Sequence, residues 1–153
     1  MNSLKNDKKV KVMMIDDMEI HYNQCPESYQ YVLVVLYYKD QFVFVKNKKR
    51  KWEFTGGKKE DGETMLEVAK REAWEEAGAI IEDIQVVGYY TLANHENVII
   101  SAAEVLYFED IPAFSETTEV RLSTTLPSEE ELSFTDGIYK SIFSHIKEHG
   151  YES

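Results

Sequence analysis

The chain has 153 residues, a length that suggests a single domain spanning residues 1–153, and 43% of its residues are hydrophobic, enough for a core. Its net charge of −11 argues against sequence-independent binding to duplex DNA. The sequence has no apolar run of about 18 residues and no signal-peptide core, so we expect a cytoplasmic protein without a membrane span. The single cysteine, Cys25, excludes an internal disulfide.

The first third of the chain predicts three strands. Residues 10–20 alternate loosely between apolar and polar and are predicted as one strand. Residues 29–38 are rich in β-branched and aromatic side chains, which is typical of a buried strand. A tight turn at positions 39–40 leads to a further strand at 41–46, so the last two strands are predicted to form a hairpin.

A helix with well-marked ends follows a glycine-rich loop at Gly56 and Gly57. Thr64 and Glu67 have the spacing of a capping box, which marks the start of a helix. Gly78 lies where a left-handed residue commonly ends a helix. Because no residue between them breaks a helix, we predict a continuous helix from the cap to Gly78.

The remaining chain predicts strands at 84–93 and 98–108, joined by a turn, and a short strand at 120–126. The apolar spacing over 134–149 predicts an amphipathic helix that is capped at Thr135 and Asp136 and ends at Gly150. With strands before and after one helix and a second helix at the end, the order suggests a mixed sheet covered on both faces.

Three carboxylates share one side of the central helix. At about 100° per residue, Glu72, Glu75 and Glu76 fall within an arc of roughly 100°. Like charges at this spacing repel by roughly 0.2–0.5 kcal/mol per pair on an exposed helix. A divalent cation removes that repulsion, and hard cations such as Mg²⁺ take oxygen ligands. For the three glutamates alone, the alternative interpretation is a solvated acidic helix face.

The wider spacing pattern favours the metal interpretation. The residues at fixed positions resemble the signature of the Nudix hydrolases, and they are Gly57, Glu63, Arg71, Glu72, Ala73, Glu75, Glu76, Gly78 and Ala79. This resemblance implies an α/β fold, the Nudix-type α/β/α sandwich with a mixed β-sheet. It also implies hydrolysis of a phosphoanhydride bond with Mg²⁺ or Mn²⁺ as cofactor.

The resemblance also assigns roles. It implies that the three helix glutamates and the carbonyl of Gly56 ligate the metal, and that the catalytic set includes Glu72, Glu75 and Glu76. Structural roles in the motif are implied for Gly57, Glu63, Arg71 and Gly78, with Glu63 pairing with Arg71. The general base in the family is either a helix glutamate or a later loop glutamate, and Glu116 and Glu119 are the later candidates here.

Basic residues cluster beside this motif. Seven of the 17 lysines and arginines lie between positions 46 and 59, in a chain that is acidic as a whole. A solvated hairpin turn is one interpretation of the cluster. The other is a phosphate-attracting surface, for which we predict Lys48, Arg50 and Lys58 as substrate-binding residues.

We therefore expect a nucleotide substrate or another phosphoanhydride. Nucleoside triphosphates are favoured, including oxidised ones of the 8-oxo-dGTP type, with nucleoside monophosphate and pyrophosphate as products. Removal of pyrophosphate from an RNA 5′ end is the alternative, followed by hydrolysis of ADP-ribose or a nucleotide sugar, and by a non-catalytic nucleotide-binding regulator. Oligomerisation is left open.

Overall fold

The computed structural model describes residues 9–15 and 18–149, in which nine strands form one sheet and two helices cover it. The helices are α1 (Met65–Ala77) and α2 (Ile138–His149). The strands are β1 (Lys11–Ile15), β2 (Met18–Tyr22), β3 (Tyr31–Tyr38), β4 (Gln41–Asn47), β5 (Trp52–Glu53), β6 (Thr55–Lys58), β7 (Ala79–Thr91), β8 (Asn97–Phe108) and β9 (Thr117–Ser123).

The sheet is mixed, as predicted. Its strand order is β1-β2-β7-β8-β3-β4-β5, with β6 paired to β3 and β9 paired to β4. Strands β3 and β8 run parallel, and every other neighbouring pair among the nine strands is antiparallel. The predicted hairpin is present, since Tyr37 of β3 lies opposite Phe42 of β4.

Successive residues of β3 point to opposite faces of the sheet, and each face has its own core. Val32 and Val34 pack with the side chains of α1. Leu33 and Val35 pack on the other face with the side chains of α2. The predicted sandwich of helix, sheet and helix is therefore confirmed.

Both ends of α1 are fixed as the sequence predicts. The Thr64 hydroxyl accepts a hydrogen bond from the backbone N–H of Glu67 at 3.2 Å, and the Glu67 carboxylate accepts one from the N–H of Thr64 at 2.8 Å. Gly78 has a φ of 66°, the left-handed conformation. A Cβ atom there would also collide with the carbonyl of Glu109, so the position requires glycine.

The prediction of one strand over residues 10–20 was wrong, because two strands lie there. β1 and β2 pair antiparallel, with Met13 opposite Ile20. β2 also pairs with β7, which leaves Ile20 and Tyr22 fully buried while β1 forms an edge of the sheet. The loose alternation gave the strand type but contained no signal for the reversal of the chain.

Several predicted boundaries were also displaced. The predicted glycine loop is strand β6, in which Gly56 lies opposite Leu33. β7 begins directly after Gly78, not at 84, and β9 lies three residues earlier than predicted. α2 begins at Ile138 because Gly137 has a φ of 91°, and the Asp136 carboxylate accepts the Ile138 N–H at 3.1 Å. The predicted stop at position 150 lies outside the described residues.

Candidate active site

Arg71 bonds to acidic side chains both on α1 and in the segment before it. Its Nε and Nη2 atoms donate to the two carboxylate oxygens of Glu63 at 2.7 and 2.8 Å, and Nη2 also donates to the carbonyl of Lys58 at 3.0 Å. Its Nη1 atom donates to Glu72 at 2.8 Å and to Glu75 at 3.3 Å. The hydrogen bonds from Arg71 lower the pKa of Glu63 to about 2. One guanidinium thus ties the segment before α1 to the helix.

The Glu72 side chain is buried, with only 8% of the residue exposed, although glutamate is ordinarily ionised and rarely buried in proteins. Its burial raises its pKa to about 7, an effect that the neighbouring Arg71 opposes and the charge of Glu75 reinforces. Gly57 lies against this carboxylate, and a Cβ atom at Gly57 would overlap the Glu72 carboxylate oxygens. The second glycine of the pair therefore makes room for the buried acid.

Glu76 lies one helical turn further along α1 and turns towards β6. Its Oε1 atom accepts a hydrogen bond from the backbone N–H of Gly56 at 2.9 Å. Its pKa is raised to about 8, mainly by burial; the hydrogen bond from Gly56 opposes the rise, and the charges of Glu72, Glu53 and Glu116 add to it. Several carboxylates thus share one poorly solvated region, an arrangement that is common at functional sites.

The segment that carries Glu116 is fixed to the end of α1. The Thr117 hydroxyl donates to the backbone carbonyl of Glu76 at 2.6 Å. The carbonyl of Glu116 accepts a hydrogen bond from the N–H of Lys48 at 2.8 Å. Both glutamates are exposed, but Glu119 lies on β9 opposite Lys46, whereas the charge of Glu116 acts on Glu76. Of the two later glutamates, the structure places Glu116 beside the acids of α1.

The predicted basic residues have different environments. Arg50 donates from Nε and Nη2 to the two oxygens of Glu53, at 2.6 and 3.1 Å. The side chains of Lys48 and Lys58 are exposed. Through the backbone, the N–H of Lys48 bonds to Glu116 and the carbonyl of Lys58 bonds to Arg71. The basic turn is therefore next to the acids, and its single arginine, Arg50, is paired within the protein.

Glu53 was missed as a site residue by the sequence prediction. It is 7% exposed and lies between Trp52 and Phe54, where β5 ends. A glutamate inside an apolar, aromatic segment was a usable signal, because glutamate is rarely buried without a partner. The partner, Arg50, is only three residues away, but sequence spacing alone does not show that the two side chains meet.

A cavity of about 330 Å³ opens beside the acids. Gly56 and Gly57 form one end, and the Arg50–Glu53 ion pair forms part of the wall. The rest of the lining is mainly apolar and aromatic, and it includes Leu33, Phe54, Tyr90, Val98, Phe134 and Tyr139. A concave apolar cavity with a few convergent polar groups is typical of a small-molecule site.

The acids offer the donor chemistry of a hard cation site. Among the described residues, no three acidic, histidine or cysteine side chains converge closely enough to hold a metal ion as they stand. The carboxylates of Glu72, Glu75 and Glu76 and the carbonyl of Gly56 nevertheless form an all-oxygen set, which suits Mg²⁺ or Mn²⁺. Glu72 and Glu75 here share Arg71 as their counter-charge, so a cation between them requires their side chains to turn.

Comparisons with known proteins agree with this geometry. The model of the NUDIX domain matches residues 29–137. A protein of Bacillus subtilis (strain 168), provisionally named the 8-oxo-dGTP diphosphatase YtkD, is 33% identical over 85 residues. That match covers 56% of this chain and 52% of the relative, so the matched part spans about half the length of the curated relative.

Two solved structures share the fold. The Bacillus subtilis pyrophosphohydrolase BsRppH, solved as a mutant, superposes with a TM-score of 0.79 at 22% identity, covering 92% of this chain and 98% of that one. An ADP-ribose pyrophosphatase from Streptococcus suis 89-1591 superposes with a TM-score of 0.60 at 17% identity, covering 79% and 92%. At 22% and 17% sequence identity, these superpositions establish a shared fold and not a shared substrate.

The chain belongs to the NUDIX domain family, because the family model matches well over half of it. The prediction of a Nudix hydrolase is thus confirmed at the level of the family. None of the helices in the part of the chain that the structure describes is long and apolar enough to span a membrane.

Proposed function

We propose that this protein hydrolyses a phosphoanhydride bond of a nucleoside triphosphate, including the oxidised 8-oxo-dGTP type, to a nucleoside monophosphate and pyrophosphate. One observation carries the proposal. The buried carboxylate of Glu72 and the partly buried carboxylate of Glu76 lie against Gly57 and Gly56. These glycines form one end of a cavity whose remaining wall is mainly aromatic and apolar, which suits a molecule with phosphates at one end and a base at the other. The family match and the relative named as an 8-oxo-dGTP diphosphatase support the same reaction.

In the proposed reaction, Glu72, Glu75, Glu76 and the Gly56 carbonyl hold Mg²⁺ or Mn²⁺. A divalent cation held there would neutralise phosphate charge and polarise the phosphoanhydride. The basic turn attracts the polyphosphate, with Lys48 and Lys58 exposed and free to approach it from solvent.

Glu116 serves as the general base in this proposal. The hydrogen bond from Thr117 to the carbonyl of Glu76 keeps its segment beside α1. A water oxygen forms a bond to phosphorus while the bridging P–O bond breaks. The carboxylate takes the proton of that water, and the leaving phosphate carries away the electron pair. Glu119 of β9 lies opposite Lys46 and is not among the charges that raise the pKa of Glu76, which argues against the same role for it.

The test is a product analysis with the purified full chain in Mg²⁺. The panel contains ordinary deoxynucleoside triphosphates, 8-oxo-dGTP, ADP-ribose and an RNA oligonucleotide with a 5′-triphosphate. We expect fastest conversion of a triphosphate to monophosphate and pyrophosphate, and at least about a hundredfold loss in the Glu116→Gln variant if the base assignment holds. Glu119→Gln is the matched control, because it removes a carboxylate only three residues further along the chain, within β9.

Hydrolysis of the RNA 5′ end is the second candidate, and the position of the basic turn favours it. The turn is bonded to the Glu116 segment, where a strand leaving the site would meet cations. Faster action on the triphosphate-ended RNA than on free nucleotides would select this function. Cleavage of ADP-ribose alone would select the third candidate, and nucleotide binding without hydrolysis in Mg²⁺ or Mn²⁺ would select a regulator.

A further inference from the structure

The cavity beside the acids has the dimensions and lining of a site for one nucleobase. Its volume of about 330 Å³ lies at the lower end of the ~300–1,000 Å³ of small-molecule pockets. On its wall Tyr139 is buried and Tyr90 is partly buried, and burial raises the pKa of both phenols. Phe54 and Tyr139 are in contact, with ring centroids 4.6 Å apart. The walls are therefore rigid aromatic surfaces that suit a flat ring.

The charged groups in this lining, among the residues that the structure describes, are Arg50 and Glu53. Glu53 is almost entirely buried, whereas the Arg50 side chain is half exposed. The Arg50 guanidinium also lies 5.4 Å from the ring centroid of Phe134 at the rim. The pair is held by two hydrogen bonds, so its donors and acceptors have a fixed direction.

This pair still has hydrogen-bonding capacity after its internal contacts are made. A carboxylate has about four acceptor sites, and Arg50 occupies one on each oxygen of Glu53. A guanidinium has five N–H donors, and Arg50 uses two of them here. An acceptor group and a donor group therefore stand side by side in the wall of an otherwise apolar cavity.

We propose that the Arg50–Glu53 pair reads the edge of the base and selects guanine. Guanine presents the O6 acceptor next to two donors, N1–H and the N2 amino group. Arg50 donates to O6, while the acceptor site that Arg50 leaves open on the adjacent Glu53 oxygen accepts from N1–H and N2–H. This inference rests on the proposed nucleotide function and names the class of base for it.

Other bases fail this match at defined atoms. Adenine places an amino donor against Arg50 and the N1 acceptor against Glu53, so both contacts become repulsive. Uracil keeps an acceptor and one donor but places the O2 acceptor against the carboxylate. Hypoxanthine keeps O6 and N1–H and differs from guanine only in lacking the N2 amino group. Oxidation of guanine at C8 leaves the edge intact, so the pair selects guanine without distinguishing dGTP from 8-oxo-dGTP.

The first experiment measures kcat/KM for GTP, ITP and ATP in Mg²⁺. For the wild-type chain we expect GTP to exceed ATP by at least about a hundredfold, because a wrong base leaves buried polar groups unpaired. ITP is expected about tenfold below GTP, since one hydrogen bond to a charged group is lost. In Glu53→Gln the GTP-to-ATP ratio falls to less than about tenfold, because the amide replaces an acceptor by a donor.

The ratio separates base reading from a purely structural role. A structural loss lowers kcat/KM for all three nucleotides by the same factor and leaves the ratio of GTP to ATP unchanged. Arg50→Lys provides a second variant that keeps the charge and removes the planar fork, and its ratio is expected to fall as well. Glu82→Gln is the matched control, because Glu82 is exposed on β7 and outside the cavity.

The second experiment measures binding of GMP and AMP by calorimetry in EDTA, where neither hydrolysis nor a metal contributes. We expect GMP to bind at least about tenfold more tightly than AMP, and the difference to disappear in Glu53→Gln. GMP preference without hydrolysis of any triphosphate would overturn the proposed function and leave the base assignment standing. Equal binding of GMP and AMP, no binding of either, or a preference unchanged in Glu53→Gln would overturn the base assignment.

Discussion

The two helices cover the same sheet by different means. α1 packs through small side chains, with Ala69, Ala73 and Ala77 buried against the sheet. α2 packs through large ones, among them Ile142 and Phe143. Alanines let a helix approach closely, so the Glu76 carboxylate beside them reaches the backbone of β6. Bulky side chains keep α2 further away and supply part of a cavity wall. Side-chain size on a helix face therefore decides whether that helix carries chemistry or shapes a space.

The largest effect on stability is expected from α2. Ile142 is fully buried, and Ile142→Ala is expected to lower the free energy of unfolding by about 2–5 kcal/mol. Because Ile142 faces away from the acids, turnover per folded molecule should stay within about twofold of the wild type. Urea unfolding followed by circular dichroism measures the first quantity. A fall in turnover of the fully folded variant would break the division between the two helices.

The largest effect on activity is expected from α1. Glu76→Gln or Glu75→Gln is expected to lower turnover by at least about a hundredfold, or about 2.7 kcal/mol in the barrier, because a charged ligand is lost. The fold should persist, since burial already favours the neutral form of Glu76 and the glutamine oxygen can still accept the N–H of Gly56. Steady-state kinetics with Glu82→Gln as control measures the effect. Near wild-type hydrolysis by Glu76→Gln would contradict its role as a ligand.

A smaller effect on stability is expected from the ion pair that joins α1 to the segment before it. Glu63→Gln removes the charge that accepts two hydrogen bonds from Arg71, which remains partly buried. We expect a loss of about 1–3 kcal/mol, because a charge-assisted pair is replaced by weaker bonds. Glu60→Gln is the control, since Glu60 is more exposed and lies 3.8 Å from Arg71. Equal losses in the two variants would show that Arg71 does not depend on Glu63.

The pH dependence of stability should distinguish the two kinds of carboxylate. Glu72 and Glu76 have folded pKa values of about 7 and about 8 against 4.5 in the unfolded chain, so the folded state binds more protons between pH 4.5 and 8. Unfolding free energy in EDTA is therefore expected to fall as pH rises through that window, by at most about 1.4 kcal/mol per pH unit for each group. Glu76→Gln should flatten this fall, and an unchanged slope in that variant would contradict the shift.

The smallest effect is expected at the helix caps. Thr64→Ala removes the hydroxyl that accepts the Glu67 N–H, and Asp136→Ala removes the carboxylate that accepts the Ile138 N–H. Each is expected to lower the free energy of unfolding by about 1 kcal/mol. Thermal unfolding of both variants compares the caps of the two helices directly. A difference of more than about 1 kcal/mol between the two would show that one helix depends on its cap far more than the other.

The helices were the most predictable part of the fold. The capping box at Thr64 and the stop at Gly78 are local signals, and both are present in the structure. The pairing of strands is not local, so the sequence did not show that Gly56 and Gly57 pair with β3. The start of α2 was displaced because the φ of Gly137 depends on the surrounding chain and not on the apolar spacing that follows it.

The candidate site was partly predictable for the same reason. Fixed spacing along one helix placed Glu72, Glu75 and Glu76 together, and the structure has them on adjoining turns. Spacing could not choose between Glu116 and Glu119, because the choice depends on where β9 meets the end of α1. Glu53 was missed because its burial depends on tertiary contacts.

The hydroxyl of Thr117 has a consequence for how such a site is adjusted. It reaches the carbonyl of Glu76 at the carboxyl end of α1, where the backbone has no partner within the helix. This neutral side chain therefore sets the spacing between two acidic residues that are 40 positions apart in the chain. A substitution at Thr117 would therefore change the separation of Glu76 and Glu116 while leaving both carboxylates in place.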